Sequence, residues 1–448
     1  MSAEHVPEND LLALLRRQID ADSRFLVAYS GGLDSCVLLH LMMRLQQQLP
    51  IEVRAAYVHH GLNPRADAWA DHCRRQCQLW RIPFEVLTVH VDARRGGIEA
   101  SAREARYAAL RTSLQPQETL LTAQHQDDQS ETFLLALKRG SGPAGLASMA
   151  AFSASGAFRQ RRPLLNMSRE QLACYANTHQ LRWIEDDSNS DERFDRNFLR
   201  LRILPLLKQR WPHFPSAVAR SAELCAEQEQ LLDELLAEAL AGMCNPQGGL
   251  AIGALRPLSP ARRFALLRRW LASRGAKMPA RDQLSRLWLE VACCREDAEP
   301  SLLLGRWQVR RFRGDLYLLP VMNSVKACVL AWQPEIGALP LPDGLGELRL
   351  SSEKTGACIR RPQRHETVTV RFSASGDVHI VGRQHGRHIK KLWQELGVPP
   401  WLRDRTPMIF YNDVLIAALG RFVTQAGQPE SESGGWYVDW HLPGEGDE

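Results

Sequence analysis

Apolar runs and helix-spaced apolar positions alternate along the first half of the chain. Phe25 to Tyr29 is a short unbroken apolar run, whereas Val37, Leu38, Leu41, Met42 and Leu45 recur at helical spacing. A buried strand therefore feeds a helix through the loop "SGGLDS". Further apolar runs at "VRAAYVHH", "FEVLTVHV" and "TLLTAQH" are separated by helical patterns near residues 67 to 80 and 99 to 113. The alternation predicts a doubly wound α/β domain with a mostly parallel sheet over residues 1–214. Ligands of such folds bind beyond the carboxyl ends of the strands, where "SGGLDS", "HHGLNPRAD" and "AQHQDDQSET" all begin.

The pattern then changes. Residues 215–245 read as one helical connector with Leu224, Leu231 and Leu235 on one face and six acids against one Arg, closed by "NPQGG". Residues 246–322 predict a small basic α+β module. Ser259 and Pro260 start its helix, Phe264, Leu267 and Leu271 point inward, and "WQVRRFRGDLYLL" reads as a hairpin. Irregular, Pro-rich sequence around residues 333 to 343 marks a second boundary. Beyond it, residues 355–435 predict a β-rich module whose strands surround one basic helix, "HIKKLWQEL". Residues 322 to 355 are the least informative, and no internal repeat stands out.

With 448 residues, 44 % of them hydrophobic, the chain can build more than one core. The first residues lack a basic region followed by an apolar core, and no apolar run approaches the ~18 residues of a membrane span. A soluble cytoplasmic protein is expected. The ten cysteines have no framework spacing and suit reduced thiols. Cys73 and Cys77, beside His72, lie one helical turn apart without a second ligand pair, which favours packing over metal binding. The net charge of +5 conceals an asymmetry. Arg256 to Arg313 carries 14 basic against 5 acidic residues, and Lys354 to Arg421 carries 12 against 5. The remainder is acidic, so two basic modules follow an acidic body, an arrangement that fits a polyanionic partner.

The loop Ser30, Gly31, Gly32, Leu33, Asp34, Ser35 stands where free backbone N–H groups and a helix dipole converge on an anion. The two glycines let a phosphate approach the backbone, and Ser30 and Ser35 add hydroxyl donors. The Lys of the Gly-x-x-x-x-Gly-Lys-Ser/Thr loop is missing. Asp34 instead suggests a magnesium ion bridging the phosphates of ATP. The competing reading is a plain turn in which Ser35 only caps the helix. In "LLTAQHQDDQSETFLLALKRGSG", His125, Asp128 and Glu131 stand three apart at a helix start whose apolar face is Phe133, Leu134 and Leu137. Asp128 and Glu131 thus share one face, although acids in a first turn also serve as simple dipole partners.

"SGGLDS" after a strand resembles the pyrophosphate loop of the N-type ATP pyrophosphatases. Within that superfamily, the segment from "LLTAQH" through "KRGSGPAGLASM" and the end stretch "GRQHGRHIKKLWQELGVPPWLRDRTPMIFYNDVLIAALG" resemble the long, three-domain bacterial tRNA(Ile)-lysidine synthetases. The resemblance covers nearly the whole chain. It implies adenylation by ATP of the 2-carbonyl oxygen of the wobble cytidine in a CAU-anticodon tRNA(Ile), followed by displacement of AMP by the ε-amine of L-lysine. The resemblance also implies roles for particular residues. Asp128 and Glu131 would receive lysine with His125 and Asp127 nearby. An Arg of "EASAREARYAAL", Arg103 rather than Arg106, would act at the reacting centre. Asp187, Asn189, Arg196, Asn197 and Arg200 would close the catalytic face over substrate, with Arg196, Asn197 and Arg200 on the tRNA, and ordinary surface salt bridges are the alternative reading. Arg387, Lys390, Lys391 and Arg403 would bind the acceptor stem. No obligate protein partner is evident. A tRNA 2-thiocytidine synthetase shares the loop but calls for a Cys-x-x-Cys cluster or thiol pair, which this sequence lacks. An amidotransferase-type synthetase calls for a glutaminase module, and none is evident. An RNA-binding protein using ATP only structurally is the reading outside enzymes.

Overall fold

A computed structural model describes residues 8–19, 22–91, 98–156, 158–276, 278–295, 298–351, 355–431 and 434–442. Residues 1–7 of the N-terminal stretch read for a leader lie outside them. The chain forms two compact units, Met1–Leu235 and Leu236–Glu448.

In the first unit, α1 (Glu8–Ile19) precedes β1 (Arg24–Ala28), α2 (Leu33–Gln46), β2 (Glu52–His59), α3 (Ala66–Leu79), β3 (Phe84–Thr88), α4 (Ile98–Ser113), β4 (Thr119–Leu121) and α5 (Gln126–Lys138). After the short α6 (Pro143–Leu146), β5 (Phe152–Ser155) and β6 (Phe158–Arg161) form a hairpin followed by α7 (Arg169–Thr178). Short helices α8 (Asp195–Phe198) and α9 (Leu204–Arg210) flank a π turn at Leu199–Ile203. The sheet runs β3-β2-β1-β4-β6-β5, all parallel except the edge strand β5.

Strand periodicity divides the core between two faces. Phe25 and Val27 of β1 pack with α1, α2 and α7 side chains such as Leu15, Leu38, Leu41 and Leu172. Leu26 faces the other way, onto Ala56, Leu110 and Leu120. The strand order reverses at β1, which has β2 on one side and β4 on the other. This is the switch point where the loops after two adjacent strands open a crevice. One of those loops is "SGGLDS" and the other leads to His125.

The long helix α10 (Phe214–Met243) runs through the stretch expected as a connector, and its Leu236 enters the core of the second unit. There β7 (Leu250–Ala251), α11 (Ile252–Leu255), α12 (Pro260–Ser273), α13 (Arg281–Arg286), β8 (Ser301–Leu304), β9 (Trp307–Phe312) and β10 (Asp315–Pro320) make an α+β layer with sheet order β7-β10-β9-β8. Ser259 caps α12 by accepting from Arg262 N–H, and Leu267, Trp270 and Leu271 are buried. The end of the unit adds β11 (Val329–Ala331), β12 (Leu339–Pro340), β13 (Glu347–Leu350), β14 (Ala357–Arg360), β15 (Val368–Arg371), β16 (Asp377–Val378) and β17 (Arg387–His388). Helices α14 (Ile389–Glu395) and α15 (Pro400–Arg403) then precede β18 (Met408–Tyr411), β19 (Val414–Ala418), β20 (Phe422–Val423) and β21 (Gly435–His441). Two antiparallel sheets, β11-β15-β18-β19-β20 and β12-β13-β21-β14, share one core that contains Leu348, Val370, Tyr411 and Val438. Among the described residues no helix is long and apolar enough to cross a membrane.

His40 of α2 is buried in the first core, its Nδ1 2.9 Å from the Tyr175 hydroxyl and its ring 5.4 Å from Trp80. Burial first, and His179 second, push its pKa down to about 4. The neutral ring of the folded state must compete with an unfolded imidazole that binds a proton below about 6.5. Stability is therefore lost as pH falls from about 6.5 to about 4. Unfolding free energies from urea titrations at pH 7 and pH 4.5 should diverge more for the wild type than for His40→Gln, by about 2 kcal/mol. Parallel pH dependences would remove His40 as the cause.

Candidate active site

The loop after β1 is held from beneath. Gly31 has φ +81°, and a Cβ there would lie 2.6 Å from Ile184 Cδ1 and 2.9 Å from Cys73 Sγ. The positive φ is the firmer demand for glycine, because Ile184 could move its methyl aside. Ile184 N–H and the Cys36 thiol donate to Gly31 O at 2.8 and 3.2 Å. Gly32 is the N-cap of α2 with no side-chain cap hydrogen bond among the described residues, which leaves first-turn N–H groups available to an anion. Ser30 and Ser35 hydroxyls sit 3.1 Å apart across the loop, and Ser35 also donates to Gly32 O at 3.0 Å. Leu33 is buried, so its share in the loop is its backbone.

Cys36, Cys73 and Cys77 are buried under this loop. Burial pushes the thiols of Cys36 and Cys77 up to about 12, far from a reactive thiolate.

α5 begins beside it, because β4 pairs with β1 in the register Phe25↔Thr119, Leu26↔Leu120 and Val27↔Leu121. His125 is its N-cap: Nδ1 accepts from Asp127 N–H at 3.2 Å, and Asp128 accepts from His125 N–H at 3.0 Å. An accepting Nδ1 places the ring proton on Nε2. That atom lies 3.6 Å from Asp34 Oδ2 and 3.4 Å from Asp128 Oδ2. The phosphate loop and the acidic helix therefore meet at one imidazole. Asp34 Oδ1 is buried with no hydrogen-bond partner among the described residues, and burial raises its pKa against the opposing pull of His125. The helix differs from the sequence expectation in one respect. Its inward side is Asp127, Gln129, Ser130, Glu131 and Ala136, while Leu137 is 56 % exposed, because the polar face is spent on the site.

Glu131 is 0 % exposed and bound by two arginines. Arg200 donates through Nε to Oε1 at 2.7 Å and through Nη2 to Oε2 at 3.1 Å, and the same Nη2 reaches Asp128 Oδ1 at 2.9 Å. Arg196 Nε stands 3.3 Å from Glu131 Oε2, and its Nη2 donates to Thr132 at 3.0 Å. Burial raises the Glu131 pKa, and Arg200 opposes it. Asn197 donates to Asp191 O at 3.0 Å, which ties the turn that carries both arginines. Asp127 faces away, to Lys208 at 2.7 Å, and Lys208 also meets Glu170 at 3.1 Å. Lys208 and the Ile184 prop were not legible in the sequence, since each acts across more than 80 residues. Asp187 pairs with Arg65 at 3.0 Å.

Arg103 lies on α4, its guanidinium 5.1 Å from the Tyr107 ring centroid, and Arg106 donates to His60 at 3.3 Å. In the second unit, Lys390 and Lys391 are exposed on α14 over the buried Ile389, Leu392 and Trp393. Arg387 stands 3.8 Å from Glu395, and Arg403 donates to Val398 O at 2.9 Å.

Three family models match in order: a PP-loop domain over residues 4–207, a TilS substrate binding domain over 250–317 and a TilS substrate C-terminal domain over 368–440. The tRNA(Ile)-lysidine synthase of Pectobacterium atrosepticum is 64 % identical, covering 97 % of this chain and 98 % of that protein. Those of Serratia proteamaculans and Shigella flexneri are 59 % and 53 % identical, covering 96 % and 95 % of this chain and 99 % and 98 % of theirs. With a phosphate loop and an acidic helix joined at one histidine, and with relatives of this identity along almost its whole length, the chain belongs to the tRNA(Ile)-lysidine synthase family.

Proposed function

We propose that the chain ligates L-lysine to carbon 2 of the wobble cytidine of a CAU-anticodon tRNA(Ile), with ATP cleaved to AMP and diphosphate. The observation that carries this reading is the convergence of Asp34 and Asp128 on His125 Nε2, at 3.6 and 3.4 Å. Phosphate chemistry and amine chemistry then share one crevice. In the first step the cytidine 2-oxygen takes the adenylyl group, held by Ser30 to Ser35 with Arg103 stabilising charge as diphosphate leaves. In the second the lysine ε-nitrogen forms the bond to carbon 2, the carbon–oxygen bond breaks, and AMP departs. Asp128, more open than Glu131, is placed to take the proton that the amine loses.

The unpartnered Asp34 Oδ1 fits a hard cation with oxygen ligands, and magnesium held there would neutralise the phosphates of ATP. Lysine's ammonium takes the place of the Arg200 fork on Asp128 and Glu131, cation for cation, so neither acid is left buried and unpaired. Arg196, Asn197 and Arg200 are then released toward the tRNA. The chain is organised as a catalytic domain (1–214), a connector (215–245) and two tRNA-binding modules (246–322 and 355–435). Lys390, Lys391, Arg387 and Arg403 lie on the acceptor stem. Such a tRNA substrate assigns the reaction to the cytoplasm.

Incubating the purified protein with ATP, labelled lysine and tRNA(Ile) transcript should give label in RNA only when all three are present. Absence of RNA-bound label with the wild type would overturn the function. Asp34→Ala should lose incorporation by at least about a hundredfold while tRNA binding, followed by filter retention, stays within about twofold.

Asp128→Asn keeps the shape of the side chain and removes its charge. Its kcat/KM for lysine should fall by roughly tenfold to a hundredfold with ATP binding little changed, consistent with losing a charged hydrogen bond. Unchanged lysine titrations with failed ATP binding would exchange the two roles.

Replacing Lys390 and Lys391 together by Ala should shallow the slope of log affinity against log salt by about 1.5 for full tRNA. An isolated anticodon stem-loop should show no such change, and equal losses on both RNAs would remove the acceptor-stem assignment.

A further inference from the structure

Within the second unit the covalent joint between the two basic modules is short. β10 ends at Pro320 and Val325 already belongs to the core of the end sheets, so residues 321–324 are the direct connection. Modules tied by so little chain move against each other unless side chains prevent it. Trp401, in α15, is one that does, and it is only 8 % exposed. Strand alternation puts Arg310 and Phe312 of β9 on one face of the middle sheet, and the pairing Tyr317↔Arg310 adds Tyr317 of β10 to it. Val309 and Leu316 take the opposite face, in the core with α12. The Trp401 ring centroid lies 5.9 Å from that of Phe312 at 77° and 5.5 Å from that of Tyr317 at 54°, with Arg310 Cζ 5.6 Å away. Tilted and edge-on contacts of this kind are those of a packed interior. Tyr317 is itself fixed, its hydroxyl accepting from Asn245 Nδ2 at 3.0 Å just beyond α10.

Arg405, just past α15, grips the joint itself. Its Nη1 donates to Asn323 O at 3.0 Å and to Asp343 Oδ2 at 2.7 Å, and its Nη2 to Asp343 O at 2.9 Å. Asp343 in turn accepts from Asn323 N–H at 3.1 Å and from Asn323 Nδ2 at 2.8 Å. The joint is therefore closed on the end module by charge-assisted hydrogen bonds. A third contact reaches the basic helix. Arg313, in the turn between β9 and β10, donates to Gln394 O at 3.3 Å in the last turn of α14. A cation at the C-terminal end of a helix satisfies one of its open carbonyls, and this one comes from the other module.

We propose that Trp401 and Arg405 clasp the two basic modules into one body, which makes Trp401 a positioning residue for Lys390 and Lys391 on tRNA. This rests on the proposed ligation, which supplies the tRNA. An RNA that contacts both modules meets the second at an effective concentration set by how firmly it is held beside the first. The clasp raises that concentration without touching RNA, because it removes the freedom that binding would otherwise have to freeze. Trp401 fixes α15 on the middle sheet, Arg313 fixes the end of α14, and Arg405 keeps the four-residue joint from swinging.

The test uses the full chain with Trp401→Ala, Trp401→Phe and Arg405→Gln, each titrated with full tRNA(Ile) transcript and with an isolated CAU anticodon stem-loop. Trp401→Ala and Arg405→Gln should each weaken full tRNA by about tenfold, and Trp401→Phe should recover most of that loss. Stem-loop binding and kcat at saturating tRNA should stay within about twofold of the wild type. The salt slope for full tRNA should be unchanged in Trp401→Ala, since no phosphate contact is removed. In a chain already carrying Lys390→Ala and Lys391→Ala, adding Trp401→Ala should cost no more than about twofold, because the placement of α14 then no longer matters. A merely destabilised module would not give that non-additivity. Unaltered affinity for full tRNA in both Trp401→Ala and Arg405→Gln overturns the clasp, as does an equal tenfold cost with and without the two lysines. Should Trp401→Ala fail to fold, Arg405→Gln carries the test alone. A wild type that fails to label tRNA with lysine overturns the ligation instead, so the two failures are distinguishable.

Discussion

The parallel pairing of β1 with β4 is the constraint on which the site depends. These strands are more than 90 residues apart, and the ladder from Phe25↔Thr119 to Val27↔Leu121 is only three residues long. Closing so long a loop costs entropy that three residues of ladder do not recover alone. Burial supplies the rest: Phe25, Leu26 and Val27 are all 0 % exposed, one set of side chains serving each face of the sheet. Once β4 lies beside β1, the starts of α2 and α5 have to emerge side by side. A shift of one residue in this register would turn Leu120 to the other face.

That juxtaposition concentrates charge. Two helix N-termini favour anions, and Asp34, Asp128 and Glu131 supply three carboxylates within reach of one imidazole and two arginines. Asp34, with one oxygen unpartnered and its pKa raised by burial, is the acid left short of positive charge. Glu131 is the opposite case, fully buried and held by two guanidinium groups. The two acids thus sit in two electrostatic settings, one with an oxygen unpartnered among the described residues and the other held by two cations.

Local pattern made much of this legible. The strand, glycine turn and helix around Asp34, and the three-residue spacing of His125, Asp128 and Glu131, are short-range features, and the fold places both motifs on one rim. What could not be read is which distant side chain answers each charge. Arg196 and Arg200 look like RNA contacts in a basic stretch, yet they lie 69 or fewer residues from Glu131 and grip it. The apolar face expected at Leu137 failed for a related reason, since hydrophobic spacing cannot tell that a site will claim the polar side of a helix. Ile184 under Gly31 carries no signal at all until the chain is folded.

Counting charges over a window of sequence measures the field only where charges stay uncompensated. On α14, Glu395 answers Arg383 and Arg387, and Arg403 is turned to a backbone carbonyl, so the exposed Lys390 and Lys391 make up a smaller part of the basic count than the sequence suggests. In the first unit, burial without a partner falls on an acid instead: Asp34 Oδ1 has no hydrogen-bond partner among the described residues. Ligand recognition should therefore be sought where burial and lack of a partner coincide, as at Asp34 Oδ1, because desolvation there is offset only by a bound group. By that criterion one carboxylate in the loop after β1 says more about what the crevice receives than the net charge of either module.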